Sequence, residues 1–336
     1  MAIADTQPEL NAELPAVDVI LLSWNRVEDT IAAIESCLEQ QGVTRRIFIV
    51  DQGSEPEQLA RLDAFVAGKS DVMLNKLGRN LGVAGGRNAA SDLGRSPYIV
   101  ALDSDAIFAD TRMLERAVAY MAARPQLCAI GFRITNFFTR ENDPTSWDYP
   151  PGVGPAEHFS ATRFIGAGHC IRRSVFEQVG KYDDRLFFCG EELDLCYRML
   201  NAGYRIDYVP TVEILHKVSP EARVFWDRGR FRLTVRNNLY TLYKFGTPFP
   251  RLALAAAAFT VKAARNGIAM EAVKGSWQSL AMCAAFRRSP EDKNQYRLKP
   301  ETWRYILECE PMRRDGFVTK LRRQFYRLPH QAPTGS

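Results

Sequence analysis

The 336-residue chain reads as an α/β protein with a mostly parallel central sheet, followed by a basic helical region. Three observations predict this. Short apolar runs alternate with helix-spaced stretches from Val17 onward, the pattern of successive βα units. Several of those runs end on polar residues, as strands do where an open parallel sheet meets its ligand. The charge is also divided: residues 221–336 hold 22 Lys/Arg against 9 Asp/Glu, whereas residues 1–220 hold 22 against 30. Two parts with opposite charge face different partners.

The elements follow in order. VDVILLS is the first strand, closed by Ser23-Trp24-Asn25-Arg26, and helical spacing runs from Val27 to Gln40. RRIFIVD is the second strand, closed by Asp51-Gln52-Gly53-Ser54, with a helix from Glu55 to Ala67. The glycine-rich segment Lys76 to Asn88, KLGRNLGVAGGRN, opens another helix, and SPYIVAL runs into Asp103-Ser104-Asp105. Asp143 to Pro155 is too rich in Pro and Gly for a strand and predicts a long loop. A strand and helix follow over Phe164 to Val179, then a helix from Glu191 to Asn201 and a strand from Tyr204 to Val209. Phe225 to Phe245 and Arg251 to Arg287 have the spacing of basic amphipathic helices. These boundaries give a tail over 1–16, a sheet domain over 17–220 and an accessory helical region over 221–336.

Composition excludes several classes. Hydrophobic residues make up 46% of the chain, enough to bury a large core and too many for a disordered protein. Seven cysteines at 37, 128, 170, 189, 196, 283 and 309 include no C-x-x-C pair. That argues against a disulfide framework and a zinc cluster and favours reduced thiols. The start, MAIADTQPELNAELPA, lacks the basic and apolar runs of a secretory signal, so a cytoplasmic location is expected. No apolar run reaches the length needed to span a bilayer. The basic half suits an anionic membrane surface, nucleic acid or a phosphorylated substrate on charge alone. Its aromatics lack a recognisable RNA-binding or helix-turn-helix arrangement, so peripheral membrane contact through 221–336 is expected and nucleic acid is not.

Some of these residues carry chemistry. Asp103 and Asp105 place two carboxylates at a strand end, where they can reach a hard cation that shares its remaining sites with phosphate oxygens and water. The glycine-rich segment offers backbone N–H groups to phosphate or ribose oxygens, with Arg87 or Arg79 adding charge. It is neither a Walker A loop nor a dinucleotide fingerprint. Glu191, Glu192 and Asp194 open a helix; acids also favour helix starts through the dipole, but three in four positions exceed that need. A carboxylate among like charges has a raised pKa and suits a general base. His216 follows the last strand, and His169 sits on a strand as packing or acceptor-side lining. His158 and His330 lie in loops.

Taken in this order, VILLSWNR, FIVDQGS, NLGVAGGRNAA, YIVALDSDA and FIGAGHCIRRSVFEQVGKYDDRLFFCGEELDLCYRMLNAGYRIDYVP resemble glycosyltransferase family 2, enzymes of the GT-A fold, and most of all its rhamnosyltransferase-like bacterial branch. The resemblance covers about residues 17–220, and RLTVRNNLYTLYKF is similar to the helix that often follows the core in that branch. It implies that Asp51 faces the nucleotide base beside Ser23, Asn25 and Arg26. Asn80, Gly82, Gly85, Gly86, Arg87 and Asn88 would shape the donor site together with Asp103, at the ribose, and Ser104. Asp105 and His216 would hold one Mg²⁺ or Mn²⁺. Glu192 falls where the family has the aspartate that serves as base, with Glu191 as the alternative; Asp194 is assigned to structure or to acceptor hydroxyls, and His169 to packing or the acceptor side. Two departures stand out: Gln52 replaces the commoner acid or amide after Asp51, and the base is Glu in place of Asp.

The resemblance implies an inverting transfer of a sugar from a dTDP- or UDP-linked donor, dTDP-rhamnose first among them, to a hydroxyl of a saccharide or lipid-linked acceptor in bacterial polysaccharide or glycolipid synthesis. A sugar-phosphate nucleotidyltransferase is the rival enzyme, although its glycine-rich loop belongs at the first strand. A silent nucleotide-sugar-binding scaffold is the rival from another class; intact acids at 105 and 192 argue against it.

Overall fold

A computed structural model describes residues 14–143, 146–147, 149–150, 152–217 and 228–311. Its first half is a parallel sheet wound in βα units. Strands β1 (Ala16–Ser23), β2 (Thr44–Asp51), β3 (Val72–Lys76) and β4 (Tyr98–Leu102) pair in parallel in the order β3-β2-β1-β4. The connections are α1 (Val27–Leu38), α2 (Pro56–Val66) and α3 (Gly82–Leu93). Side chains of a strand alternate between faces, and here both faces are covered. Val19, Leu21, Ile47 and Ile49 enter one core beneath α1 and α4 (Met113–Ala122), whereas Ile20, Phe48 and Val50 enter the other beneath α3. That double burial is why these strands read as continuous apolar runs.

The second half extends the sheet with mixed directions. It adds β5 (Ala106–Phe108), β6 (Leu127–Asn136), β7 (Phe159–Ala161), β8 (Gly168–Arg172) and β9 (Arg205–His216). The full order is β3-β2-β1-β4-β8-β6-β9-β5, with β7 on β9. Because β8 is antiparallel to both β4 and β6, β6 and β9 run in the same direction as β1–β4. Helices α5 (Arg173–Gln178) and α6 (Glu191–Asn201) lie on this half.

β9 is longer than the expected Tyr204–Val209 because Pro210 does not end it. Phe132 of β6 faces Val209, but the next residue, Arg133, faces Glu213. The shift places Pro210 in a bulge, where its missing N–H breaks no ladder bond. His216 therefore closes a strand and does not lie in a turn after it.

The carboxyl-terminal part is helical: α7 (Arg228–Lys244), α8 (Phe249–Ala264), α9 (Ala269–Arg288) and α10 (Pro300–Cys309). The stretch expected as one helix over Arg251–Arg287 breaks at Asn266-Gly267, where Gly267 has φ 72°, a left-handed stop that glycine adopts freely. Phe231, Val235, Leu239, Ala263, Ile268 and Ala272 give α7, α8 and α9 a small core of their own. In contrast α10 returns to the sheet, where Ile306 joins the second core and Tyr305 donates to Ala161 O at 3.2 Å. The boundary expected near Pro220 and residue His330 fall outside the described residues.

Candidate active site

The carboxyl ends of β1, β2 and β4 lie side by side, with Ser23 paired to Asp51, so the three polar strand ends form one rim. Asp51 is buried and accepts from the backbone N–H of Gly53 and Ser54 at 3.1 Å each, and from the Ser54 hydroxyl. Asn25, at φ 55°, donates its N–H to Ser54 Oγ at 2.9 Å and accepts from Glu55 N–H at 2.6 Å. Asp51 and Asn25 thus tie the two loops together from within. Gln52 has its own use: its Oε1 accepts from Leu81 N–H at 2.9 Å, which seats the start of α3 on the rim. Asn80 accepts from Gly82 N–H at 2.7 Å and so turns the chain into α3. The glycine-rich segment is helix from Gly82 onward, so Gly85, Gly86, Arg87 and Asn88 lie on α3 and not in an open loop. Gly86 packs on Leu22 and Gln52, and the Asn88 amide is committed to the backbone of Tyr182, with bonds of 2.9 and 3.0 Å.

Three side chains able to ligate a metal ion meet past β4. Asp103, Asp105 and His216 each offer a ligand atom, all within 4.8 Å of one another. The sheet makes this meeting: β5 is antiparallel to β9 with Ala106 opposite His216, and Lys217 N–H donates to Asp105 O at 2.7 Å. His216 Nε2 lies 3.1 Å from Asp105 Oδ1, and its Nδ1 lies 3.8 Å from Asp143 Oδ2. Burial opposes a charge on His216, yet hydrogen bonds to Asp105 and Asp143 and the charges of Asp105 and Asp103 outweigh it, pushing the ring up to about 9. Burial likewise opposes ionisation of Asp105, but His216 and Arg26 hold its carboxyl down at about 2. Arg26 reaches Asp105 Oδ2 at 2.7 Å and Asp29 at 3.0 Å. Two carboxylates and an imidazole form a set able to hold a hard or borderline divalent cation, and the imidazole's second nitrogen faces a carboxylate, the arrangement that orients metal-ligating histidines.

Arg87 joins this set to the acidic helix start. Its guanidinium donates to Asp103 at 3.0 Å, Glu192 at 2.9 Å and Gly166 O at 2.7 Å, with the side chain only 4% exposed. Five fixed donors suit a cation that must bridge two carboxylates. Burial works against it, but the neighbouring Tyr182 phenol and the carboxylates of Asp103 and Glu192 raise its pKa. A side chain at Gly166 would place its Cβ 2.2 Å from Glu192 Oε1, so glycine there leaves the carboxylate its place.

Glu191 and Glu192 differ although they are neighbours. Glu191 is 2% exposed, and burial, then the charge of Glu192, raises its carboxyl well above the usual range. Glu192 is half-buried and faces the rim through Arg87. The chain reaches α6 through Phe187, Cys189 and Gly190, at φ 61°, 72° and 93°. Such conformations persist only where surroundings hold them. Phe187 O accepts from Val83 N–H at 2.6 Å, and Gly82 is required there because an added Cβ would lie 2.3 Å from that oxygen. From the other side Asn237 of α7, fully buried, donates to the carbonyls of Leu186, Phe188 and Cys189 at 2.6–2.8 Å. A carboxyl-terminal helix therefore supports the loop that aims Glu192. The sequence signal for this was the Arg-Asn run in α7; for Asp143 and Gly166 there was none.

Two expected site residues are placed elsewhere. Asp194 is fully buried beneath α6, paired with Arg198 and Lys244 at 2.8 Å each. His169 is fully buried as well, stacked on Phe164 at 4.0 Å and bonded to Tyr182 Oη at 2.8 Å. Its ring is held neutral, well below the usual histidine range, by burial and then by Arg87. Neither touches a surface an acceptor reaches. A cleft of about 380 Å³ also lies behind α6, between Asp183, Arg185, Lys244 and Tyr296, away from the rim and lined by charges already paired with one another. All seven cysteines are unpaired.

Residues 18–180 match the family model "Glycosyl transferase family 2". An N-acetylglucosaminyltransferase of Rhizobium meliloti is 26% identical over 68% of this chain and 58% of its own. An N-acetylglucosaminyl-diphospho-decaprenol L-rhamnosyltransferase of Mycobacterium tuberculosis is 46% identical over a short stretch, 15% of this chain and 17% of its own. The chain thus spans less than two thirds of both of these relatives. A mannosyltransferase of Pyrobaculum calidifontis, solved in complex with GDP-Man and Mn²⁺, superposes over 95% of this chain and 87% of its own with TM-score 0.56 at 18% identity, which shows the GT-A fold. Residues 18–180, with the strand-end acids they contain, belong to glycosyltransferase family 2.

Proposed function

We propose that the chain transfers a sugar from a nucleoside-diphosphate donor to an acceptor hydroxyl, with inversion at the anomeric carbon. The observation that carries this reading is the convergence of Asp103, Asp105 and His216 within 4.8 Å, joined through Arg87 to Glu192. Asp103, Asp105 and His216 would hold one Mg²⁺ or Mn²⁺, which when bound offsets the charge that develops on the departing diphosphate. The rim of Ser23, Asn25, Arg26 and Asp51 would take the nucleoside, and α3 would approach the donor with its amino-terminal turn. Glu192, the more accessible acid of the pair, accepts the proton of the acceptor hydroxyl. The new C–O bond forms as the bond to the diphosphate breaks. One base and one displacement give inversion, since no carboxylate nucleophile retains the sugar. Glu191, buried and with its carboxyl raised by that burial and then by the charge of Glu192, is the lesser candidate for the base.

The short, closer match to a rhamnosyltransferase favours dTDP-rhamnose over other dTDP- or UDP-linked sugars. A saccharide or lipid-linked acceptor is consistent with peripheral membrane contact through 221–336; no helix among the described residues is long and apolar enough to cross a membrane. The test is a thermal-shift screen of nucleotide sugars with Mn²⁺ or Mg²⁺, since a preferred donor stabilises the fold by mass action. Release of nucleoside diphosphate from the stabilising donor is then followed. A donor that stabilises and turns over supports the reading. Release of pyrophosphate points to a nucleotidyltransferase, and stabilisation without turnover to a binding scaffold.

A further inference from the structure

Helices α8 and α9 each keep an apolar stripe that nothing among the described residues covers. On α9 it is Met270, Val273, Trp277 and Leu280, which are 64, 47, 76 and 55% exposed. The spacing i, i+3, i+7, i+10 sets them on one narrow face at 100° per residue. The face that α9 packs inward is another one, made by Ala272, Gly275, Ser279 and Phe286. On α8 the exposed residues Leu254, Ala257 and Val261 repeat the pattern, opposite the face of Ala256, Phe259 and Ala263 that enters the helical core. Burial among the described residues thus does not explain these seven residues.

The charge around the stripes is of one sign. From Phe249 to Arg288 the cations are Arg251, Lys262, Arg265, Lys274, Arg287 and Arg288, and the single acid, Glu271, is itself paired with Lys274 at 2.8 Å. Arg251 lies one turn before Leu254 and Arg265 one turn after Val261. Lys274 lies one turn from both Met270 and Trp277. Apolar side chains with Trp among them, edged by long cationic stems, match the boundary of an anionic bilayer: the rings and aliphatic groups enter the acyl boundary while the cations meet phosphate. Small exposed apolar residues alone would suit a protein partner equally; the one-signed charge favours lipid.

We infer that α8 and α9 form a docking surface for an anionic phospholipid bilayer, with Trp277 and Leu280 inserted at the headgroup boundary. This names the surface behind the peripheral contact proposed above, and it stands independently of the transferase chemistry. The test is co-sedimentation of the full chain with vesicles of phosphatidylcholine alone or mixed with phosphatidylglycerol, at low and high salt. The chain should pellet with the mixed vesicles at low salt only. Trp277→Ser should weaken this about tenfold, the effect of losing one large buried apolar side chain. Arg287→Glu with Arg288→Glu should remove the preference for phosphatidylglycerol. Both changes fall on exposed positions and leave the core untouched. Equal pelleting of wild type and Trp277→Ser overturns the inference, as does no pelleting with anionic vesicles. A concentration-dependent dimer that Trp277→Ser abolishes, without vesicle binding, also overturns it and assigns the stripe to a second copy. Donor turnover in solution is a separate readout, so its failure touches the transferase reading and not this one.

Discussion

Helix α6 borders two clusters of charge that differ in balance. Behind it, three acids, Asp183, Asp194 and Glu291, meet Lys244, Arg185 and Arg198, with Lys244 2.7 and 2.8 Å from Asp183 and Asp194. In front of it, five acids, Asp103, Asp105, Asp143, Glu191 and Glu192, face Arg26, Arg87 and His216. The rear cluster is closed by cations of its own. Among the described residues the front cluster holds fewer cations than acids, and it lies at the open end of the sheet. Buried paired charges hold a structure in place, whereas carboxylates in excess at a strand end leave room for a metal ion and for a base. Glu192 and Asp194, two residues apart on one helical turn, therefore have different fates, decided by which face they leave.

Substitutions on the two sides should separate the clusters. The largest effect belongs to the rear: Lys244→Met strands Asp183 and Asp194 without their shared cation and should destabilise the fold by about 3–5 kcal/mol, read by denaturant melting. An unchanged midpoint would show that the rear cluster is not structural. Next, Glu192→Gln should lower turnover at least about 10²-fold, the usual contribution of a general base, with donor affinity kept in a binding titration. Full turnover in this variant would move the base elsewhere. Asp143→Asn, one step behind His216, should weaken metal affinity about 10–100-fold and leave the melting midpoint of the metal-free chain nearly unchanged.

The smallest effect is one of pH. Burial, then Glu192, raises the Glu191 carboxyl, so the folded chain retains a proton that the unfolded chain releases. The stability tied to this proton is complete below the ordinary glutamate range and is lost as pH rises through the folded value. Glu191→Gln should remove that decline and gain on the wild type with rising pH, by about 1 kcal/mol for each unit of the raised pKa. Parallel stability curves for the two proteins would contradict it.

Much of this arrangement was legible in the residues. The strand ends at 23, 51 and 103 and the helix Glu191–Asn201 are where apolar runs and acidic starts put them. Pro210 hid the true length of β9, because a bulge that absorbs a proline is a property of the register with β6. The role of Arg87 was hidden for a related reason: its partners Asp103 and Glu192 are 16 and 105 residues away, and a glycine-rich context suggested a phosphate contact instead. For Asp194 and His169 the residue type left a structural role and an acceptor role both open. Only the packing of α7 and Phe164 against them makes them buried supports.

One divalent cation is proposed to bind in front of α6, on Asp103, Asp105 and His216. Calorimetric titration of Mn²⁺ into the chain, with a nucleoside diphosphate present, tests this. One ion per chain is expected, and no measurable binding once Asp105→Ala and His216→Ala are combined in a protein that still melts cooperatively. Undiminished binding by that folded double variant would contradict it.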